Sequence, residues 1–160
     1  MTIQVGDRIP NVTLSTMTSD GPADMTTDEI FSGKKVVVFA LPGAFTPTCS
    51  AAHLPGFVVN HDAIKEKGVD TIACLSVNDA FVMGAWGDAQ NVESNILMLA
   101  DGSANFTQAV GLELDLTERN FGLRSQRYAM IVDDGVVTHL NVEEGGNFEV
   151  SSAEAVMSLL

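Results

Sequence analysis

The feature that most constrains the fold is an apolar run at residues 34–41, together with the turn that follows it. The run is rich in β-branched and apolar residues at successive positions, which is typical of a strand covered on both faces. After the Pro/Gly turn, Thr46 suits the N-cap of a helix and Pro47 suits its first position. Cys49 then falls in the first helical turn. The stretch therefore predicts a strand–turn–helix unit that presents a sulfur atom.

Strands and helices alternate along the rest of the chain. The other predicted elements, in order, are an N-terminal β-hairpin from short runs at 8–10 and 12–14, a helical turn at 26–31, continuation of the Cys49 helix to 67 with an interruption at 54–56, a strand at 69–77, a helix capped by Asn78, a strand at 96–100, a short helix capped by Ser103, a hairpin of strands at 127–132 and 136–142, and a C-terminal helix to 160 capped by Ser151 or Ser152. This alternation indicates the α/β class, with a central mixed sheet flanked by helices on both faces. Ligands of such sheets bind beyond the carboxyl ends of the strands, where residues 42–50 lie.

Length and composition indicate a single globular domain over residues 1–160. The chain is 46% apolar and 18% charged, and it is long enough for one core but too short for two. A net charge of −13, with the basic residues scattered, argues against nucleic acid or an anionic membrane as partner. No apolar run could span a membrane, and no secretory signal opens the chain. Two cysteines without metal-like spacing predict no metal or cofactor and a reducing, cytoplasmic location, although an organellar address could have been removed.

The chemistry predicted at Cys49 depends on forming its thiolate. A free cysteine thiol has a pKa of ~8.5 and is mostly protonated at neutral pH, whereas the thiolate is the nucleophile. The start of a helix favours an anion, because free N–H groups and the positive end of the helix dipole meet there. A nearby cation would favour the anion further. Arg127, at the start of a predicted strand, is the first candidate and Arg124 the second, and periodicity does not choose between them.

Three separated segments resemble one enzyme family. Pro42, Thr46 and Cys49 match the PxxxTxxC signature of peroxiredoxins. The longer string from PGAFTPTCS to HLPGF at 42–57, with CLSVNDAFVMGAW at 74–86 and RYAMIVDDG at 127–135, is similar to the peroxiredoxin-5 subfamily. The resemblance covers essentially the whole chain. It implies a thioredoxin-like fold with an N-terminal extension, and a thiol peroxidase that reduces hydrogen peroxide and small organic hydroperoxides.

The resemblance also implies a role for each matched residue. Cys49 would be the peroxidatic cysteine, which the substrate oxidises to a sulfenic acid. Arg127 would hold the thiolate and orient the peroxide oxygens, and Pro42 would shield the pocket. The backbone N–H groups of Thr48 and Cys49 would donate to the substrate. Thr46 would hydrogen-bond the peroxide through its hydroxyl, a role that competes with capping the helix.

The sulfenic acid must then be reduced, and the chain contains one other sulfur candidate. Cys74 lies in the predicted strand at 69–77, where a buried, inert cysteine is favoured over a resolving one. Some relatives carry a resolving cysteine in the region that matches residues 144–152, and this chain has none there. The departure predicts a one-cysteine mechanism recycled by glutathione, glutaredoxin or thioredoxin. The subfamily forms dimers near its active site, so Phe45 and Trp86 are assigned either to the core or to a homodimer contact.

Two other functions remain open for the same residues. A peroxide sensor would use the oxidised Cys49 to dock a partner instead of turning over. A cysteine hydrolase would pair Cys49 with His53, which lies four residues later on the same helix face. Against the hydrolase, no orienting Asn or Asp is evident, and His53 is otherwise a histidine at the helix surface or packed against a neighbouring loop. His61 and His139 are interpreted as structural or solvated.

Overall fold

A seven-stranded mixed sheet organises the protein, for which a computed structural model describes residues 1–160. The strands are β1 (Thr13–Thr18), β2 (Gly21–Thr26), β3 (Lys35–Ala40), β4 (Thr71–Ser76), β5 (Leu97–Ala100), β6 (Glu113–Leu116), β7 (Gly122–Ser125), β8 (Tyr128–Asp133) and β9 (Val136–Val142). The helices are α1 (Thr27–Phe31), α2 (Leu54–Glu66), α3 (Ala80–Ala89), α4 (Asn105–Ala109) and α5 (Ala153–Met157). The sheet order is β2-β1-β5-β4-β3-β8-β9, and β6 and β7 form a separate two-stranded sheet. None of these helices is both long and apolar enough to cross a bilayer.

Strand β3 shows why helices cover both faces of the sheet. Its side chains from Val36 to Ala40 are fully buried and alternate between the two faces. Val37 and Phe39 pack on one side with apolar residues of α2, α3 and α5. Val36 and Val38 pack on the other side with residues of α1 and α4. Each such side chain contributes about 1.5–3 kcal/mol on burial. The predicted two-sided sheet is confirmed.

Parallel pairing brings the turn after β3 and the end of the neighbouring strand β4 together. β3 and β4 run parallel, so residues 42–50 and the residues after β4 lie at the same edge of the sheet. There the Ala44 N–H donates to Asn78 Oδ1 at 3.0 Å, and the Ser76 hydroxyl donates to the same oxygen at 2.6 Å. The prediction that Asn78 caps α3 is therefore wrong. Asp79 is the N-cap, and its carboxylate accepts from the Val82 N–H at 2.9 Å.

Three further sequence predictions need correction at their boundaries. The N-terminal hairpin is present but consists of β1 and β2, whereas Arg8 makes only an isolated bridge to Val136. Ser103 does not cap α4. The buried Asp101 carboxylate accepts from the N–H groups of Phe106 and Thr107 instead, at 3.1 and 2.8 Å. The C-terminal helix is capped by Ser152 as predicted but ends at Met157.

The helix is interrupted earlier than the predicted residues 54–56, by a π-helical segment at Cys49–His53. Helical backbone begins at Pro47, passes through a π-helical segment at Cys49–His53, and continues as α2. The Leu54 N–H donates to the Cys49 carbonyl, five residues back. Pro55 has no N–H, and its ring would clash with the carbonyl four residues earlier in a regular α-helix. One extra residue per turn accommodates this proline without breaking the helix, and such turns are frequent at functional sites.

Candidate active site

Cys49 lies buried beside a cleft at the carboxyl end of β3. The side chain of Cys49 has 0% exposure. The cleft has a volume of about 710 Å³, and its lining includes Pro42, Thr46, Thr48 and Arg127. All the residues predicted for the site are thus brought together at one edge of the sheet, where the α/β pattern predicted a ligand to bind.

Arg127 is the cation that contacts the sulfur. Its Nη2 donates to Cys49 Sγ at 3.2 Å. Antiparallel pairing of β3 with β8 sets Ala40 opposite Tyr128, so the residue before β8 lies next to the turn that leaves β3. A guanidinium at this distance favours a negative charge on sulfur by direct Coulomb attraction and by a charge-assisted hydrogen bond.

Arg124, the other arginine considered from the sequence, braces the turn instead. Its Nη1 donates to the Pro42 carbonyl at 3.1 Å, and its Nε donates to the Phe121 carbonyl at 2.9 Å. A Cβ at Gly43 would lie 2.7 Å from the same Nη1, so only glycine allows this close approach. The geometry therefore separates the two arginines, which periodicity did not.

His53 is the residue of the site whose part the sequence did not reveal. It has 0% exposure, so the prediction of a surface histidine is wrong and the alternative of packing against a loop is confirmed. Arg127 Nη1 donates to His53 Nδ1 at 2.8 Å, and His53 Nε2–H donates to the Ser151 carbonyl at 2.9 Å. Burial, and then the charge of Arg127, lower the pKa of His53 to about 3. The ring is neutral at physiological pH, and neither nitrogen is free to take a proton from Cys49.

Glu143, which follows β9, organises the loop that His53 contacts. Its Oε2 accepts hydrogen bonds from the N–H groups of Glu149, Val150 and Ser151 and from the Ser151 hydroxyl, all within 2.7–2.9 Å. Burial pushes the pKa of Glu143 upward, but the hydrogen bonds from Ser151 and from the two residues before it outweigh burial and hold that pKa below its ordinary value. The carboxylate thus fixes the position of the Ser151 carbonyl.

The turn before Cys49 leaves backbone donors available. The Thr46 hydroxyl donates to the Gly43 carbonyl at 2.7 Å and makes no cap bond, so the predicted capping role of its side chain is wrong. The first hydrogen bond of the helix runs from the Ser50 N–H to the Thr46 carbonyl at 2.9 Å. The N–H groups of Thr48 and Cys49 therefore belong to the helix start, where donors lack intrahelical acceptors.

The remaining sequence assignments near the site concern a cysteine and two aromatic residues. Cys74 is fully buried in β4, and burial, followed by the proximity of Cys49, raises the pKa of its thiol well above the usual value. The prediction of a buried cysteine is confirmed. Trp86 belongs to the core, and its Nε1–H donates to Ser50 Oγ at 3.0 Å. Phe45 is 56% exposed beside it, with the two ring centroids 6.4 Å apart.

Comparisons with known proteins agree with this geometry. The Redoxin family model matches residues 4–157 of the chain. Peroxiredoxin-2E-2, chloroplastic, of Oryza sativa subsp. japonica is 50% identical over 167 residues, which cover 99% of this chain and 73% of that protein. The chain belongs to the peroxiredoxin family. It is therefore a thiol peroxidase, as the sequence resemblance implied.

Solved structures of other peroxiredoxins share the fold. Reduced Prx3 of Vibrio vulnificus in complex with hydrogen peroxide is 60% identical with a TM-score of 0.95, and 99% of each chain is covered. Peroxiredoxin 5 of Alvinella pompejana is 36% identical with a TM-score of 0.86, and the match covers 98% of this chain and 96% of the other. The predicted thioredoxin-like fold and the similarity to the peroxiredoxin-5 subfamily are confirmed.

The buried neutral His53 predicts that this peroxiredoxin loses stability in mild acid. In the unfolded chain the ring takes a proton near its ordinary pKa of 6.5, whereas the folded protein keeps it neutral down to about pH 3. Between these pH values the unfolded state binds one more proton than the folded state. The free energy of unfolding therefore falls by about 1.4 kcal/mol for each unit by which the pH decreases. This group should therefore make the free energy of unfolding, measured in urea, about 2 kcal/mol lower at about pH 5 than at about pH 6.5.

The matched control for this acid effect is His53→Asn, which has no titratable ring. The variant should lack the His53 contribution while keeping that of the carboxylates. Equal stability losses in the wild type and in His53→Asn would contradict a neutral native histidine.

Proposed function

We propose that Cys49 is the peroxidatic nucleophile and that it reduces hydrogen peroxide and small organic hydroperoxides. The observation that carries this proposal is the 3.2 Å contact from Arg127 Nη2 to Cys49 Sγ at the start of a helix. Arg127 supplies a cation to one buried sulfur, and the start of the helix supplies backbone N–H groups beside it. The peroxide complex of the Vibrio vulnificus relative supports the choice of substrate.

The reaction assigns each bond and proton. The Cys49 thiolate attacks one oxygen of the O–O bond; a sulfur–oxygen bond forms as the O–O bond breaks. The leaving oxygen takes the electron pair and the proton of the attacked hydroxyl, and departs as water or an alcohol; solvent then protonates the sulfenate left on sulfur. Sulfur is oxidised by two electrons to a sulfenic acid. Because negative charge moves onto the leaving oxygen, fixed donors aimed at that oxygen lower the barrier, each by a factor of ~100–1000.

The residues around the cleft have distinct parts in this proposal. Thr46 already uses its hydroxyl proton on the Gly43 carbonyl, so its oxygen is left to accept a hydrogen bond from the peroxide O–H. The N–H groups of Thr48 and Cys49 donate to the substrate oxygens. Arg127 is shared between the thiolate and the peroxide, and Pro42 shields the pocket from water.

For recycling, we propose a one-cysteine mechanism with an external thiol. One molecule of glutathione, glutaredoxin or thioredoxin attacks the sulfenic sulfur, forms a mixed disulfide and releases water. A second thiol then reduces that disulfide and regenerates Cys49. Burial and the raised pKa of Cys74 keep it as a thiol, which is a poor nucleophile, and this supports an external reductant.

The mass of the protein after one equivalent of peroxide tests this mechanism. We expect the gain of one oxygen atom on Cys49, followed by a mixed disulfide when glutathione is added. The control is Cys74→Ala, which should show the same gains in mass. Loss of two hydrogen atoms with a Cys49–Cys74 bond would contradict the one-cysteine mechanism, and failure to turn over with any thiol would favour the peroxide sensor.

The hydrolase alternative finds no support in the site. A cysteine hydrolase needs a histidine nitrogen that can accept the thiol proton. His53 Nδ1 already accepts from Arg127, and its Nε2–H is committed to Ser151. Ester or peptide cleavage that depends on His53 would be required to revive this reading.

We also propose a homodimer and a cytoplasmic location. Exposed aromatic side chains at Phe45 and Phe81, 56% and 68% accessible, support a partner surface near the turn and α3.

Two buried cysteines, both with free thiols, are consistent with a reducing compartment. The chloroplastic relative from rice makes an organelle the alternative location. Sedimentation velocity and cell fractionation measure these two properties.

A further inference from the structure

We infer that His53 is a positioning residue: it accepts a hydrogen bond from Arg127 and so holds the guanidinium toward Cys49. The inference rests on the proposed role of Cys49 as nucleophile and deepens it. The two contacts of the guanidinium run from Nη1 to His53 Nδ1 at 2.8 Å and from Nη2 to Cys49 Sγ at 3.2 Å. His53 therefore acts on the sulfur only through Arg127.

The planar guanidinium makes the second contact informative. An arginine held by one hydrogen bond can still rotate about the bonds of its side chain, whereas two bonds from the same fork fix its plane. The Phe148 ring lies 5.8 Å from the Arg127 Cζ and 5.0 Å from the His53 ring, and it covers this pair. With the plane fixed, one N–H of the fork points at sulfur before any substrate arrives.

The tautomer of His53 follows from its two partners. The Ser151 carbonyl can only accept, so the ring proton must be on Nε2, and Nδ1 is left as an acceptor. Glu143 holds Ser151 through both its backbone N–H and its hydroxyl. A carboxylate beyond the end of β9 thus sets which nitrogen of His53 faces Arg127.

Charge and burial keep the ring in this state. A protonated His53 would lose its acceptor and place a second positive charge beside the guanidinium. The charged groups acting on the ring are Arg127 and Glu143, and Cys49 contacts the same guanidinium. Phe39 and Phe57 pack against its remaining faces, with ring centroids 5.1 and 5.8 Å away. Packing alone would need only an apolar ring here, whereas both nitrogens of His53 are bonded.

Nitrogen NMR of the wild-type protein with ¹⁵N-labelled histidines tests the arrangement without any perturbation of the fold. We expect His53 to show a protonated Nε2 and an unprotonated Nδ1, with no titration between about pH 5 and about pH 8. His61 and His139 are internal controls, and His53→Asn assigns the signal. A proton on Nδ1, or titration of His53 near pH ~6.5, would overturn the inference.

Two substitutions then separate positioning from packing in single-turnover oxidation by hydrogen peroxide. His53→Asn places Oδ1 close to where Nδ1 was and keeps an acceptor for Arg127, whereas His53→Leu removes it. We expect oxidation of Cys49 to slow roughly 10- to 100-fold in His53→Leu and to stay within about threefold of wild type in His53→Asn.

His61→Asn, at a partly buried position of α2 away from Cys49, is the matched control and should behave as wild type. Equal rates in His53→Leu and His53→Asn would overturn the positioning role. If both matched wild type while Cys49→Ser did not react, His53 alone would lose its role and Cys49 would remain the nucleophile. If His53→Leu does not fold, the NMR result and His53→Asn still decide the question.

Discussion

Cys49→Ser is expected to abolish peroxide consumption, with a loss of at least ~10⁴-fold in the rate of the first step. A serine hydroxyl is not ionised at neutral pH even beside Arg127, and oxygen is a far poorer nucleophile toward the O–O bond than a thiolate. The measurement is the second-order rate constant with hydrogen peroxide, with and without glutathione.

The control for this prediction is Cys74→Ala, which removes the other thiol without burying a hydroxyl in β4. It should keep the oxidation rate, although the small cavity lowers stability by about 1 kcal/mol. Full activity in Cys49→Ser would remove Cys49 from the mechanism. Loss of multiple turnover in Cys74→Ala alone would make Cys74 a resolving cysteine.

The second large effect is expected for Arg127→Ala. This substitution removes the donor at 3.2 Å from sulfur and leaves the His53 acceptor unpaired in a buried site. We expect oxidation of Cys49 to slow by ~100–1000-fold, the loss typical of one fixed electrostatic donor. The oxidation rate of Arg127→Lys should lie between those of wild type and Arg127→Ala. An ammonium keeps the charge but cannot contact the sulfur and His53 with the geometry of a fork.

Arg124→Ala is the comparison that makes the Arg127 result specific. Arg124 lies close to Arg127 in the sequence, but it donates to the carbonyls of Pro42 and Phe121 and not to the sulfur. Its loss should loosen the turn and slow oxidation by less than about 10-fold. If Arg124→Ala were the slow variant and Arg127→Ala reacted normally, the two arginines would have to exchange their assigned parts.

The sequence predicted best where one continuous segment decides the outcome. The strand at 34–41, the turn after it and the hairpin of β8 and β9 each carry their own pattern, and the structure contains all three. The pair β6 and β7 was missed, since each strand has four residues and neither is an apolar run. Short strands of this kind are decided by their partner and not by their own composition.

The site could be predicted only in part for the same reason. The signature residues predicted Cys49 and Thr46, and the family resemblance pointed to Arg127. Periodicity alone did not separate Arg127 from Arg124, because the contact with sulfur depends on the antiparallel register of β3 with β8. Burial of His53 depends on the loop beyond β9, which folds over it through Glu143 and Ser151. No local pattern reports contacts between residues so far apart in the chain.

The loop held by Glu143 also limits how this enzyme could be rebuilt. The segment at 147–151 contacts His53 beside Cys49, so it is one place to introduce an internal second thiol. To approach the sulfur, that segment would give up the N–H and hydroxyl bonds of Ser151 to Glu143, and with them the carbonyl that His53 needs. The loop therefore cannot keep the hydrogen bonds that hold the reduced site and at the same time move to the oxidised sulfur. A variant with a second cysteine in this loop should form an internal disulfide instead of one with an external thiol. Its Cys49 should, however, be oxidised by peroxide more slowly than in the wild type.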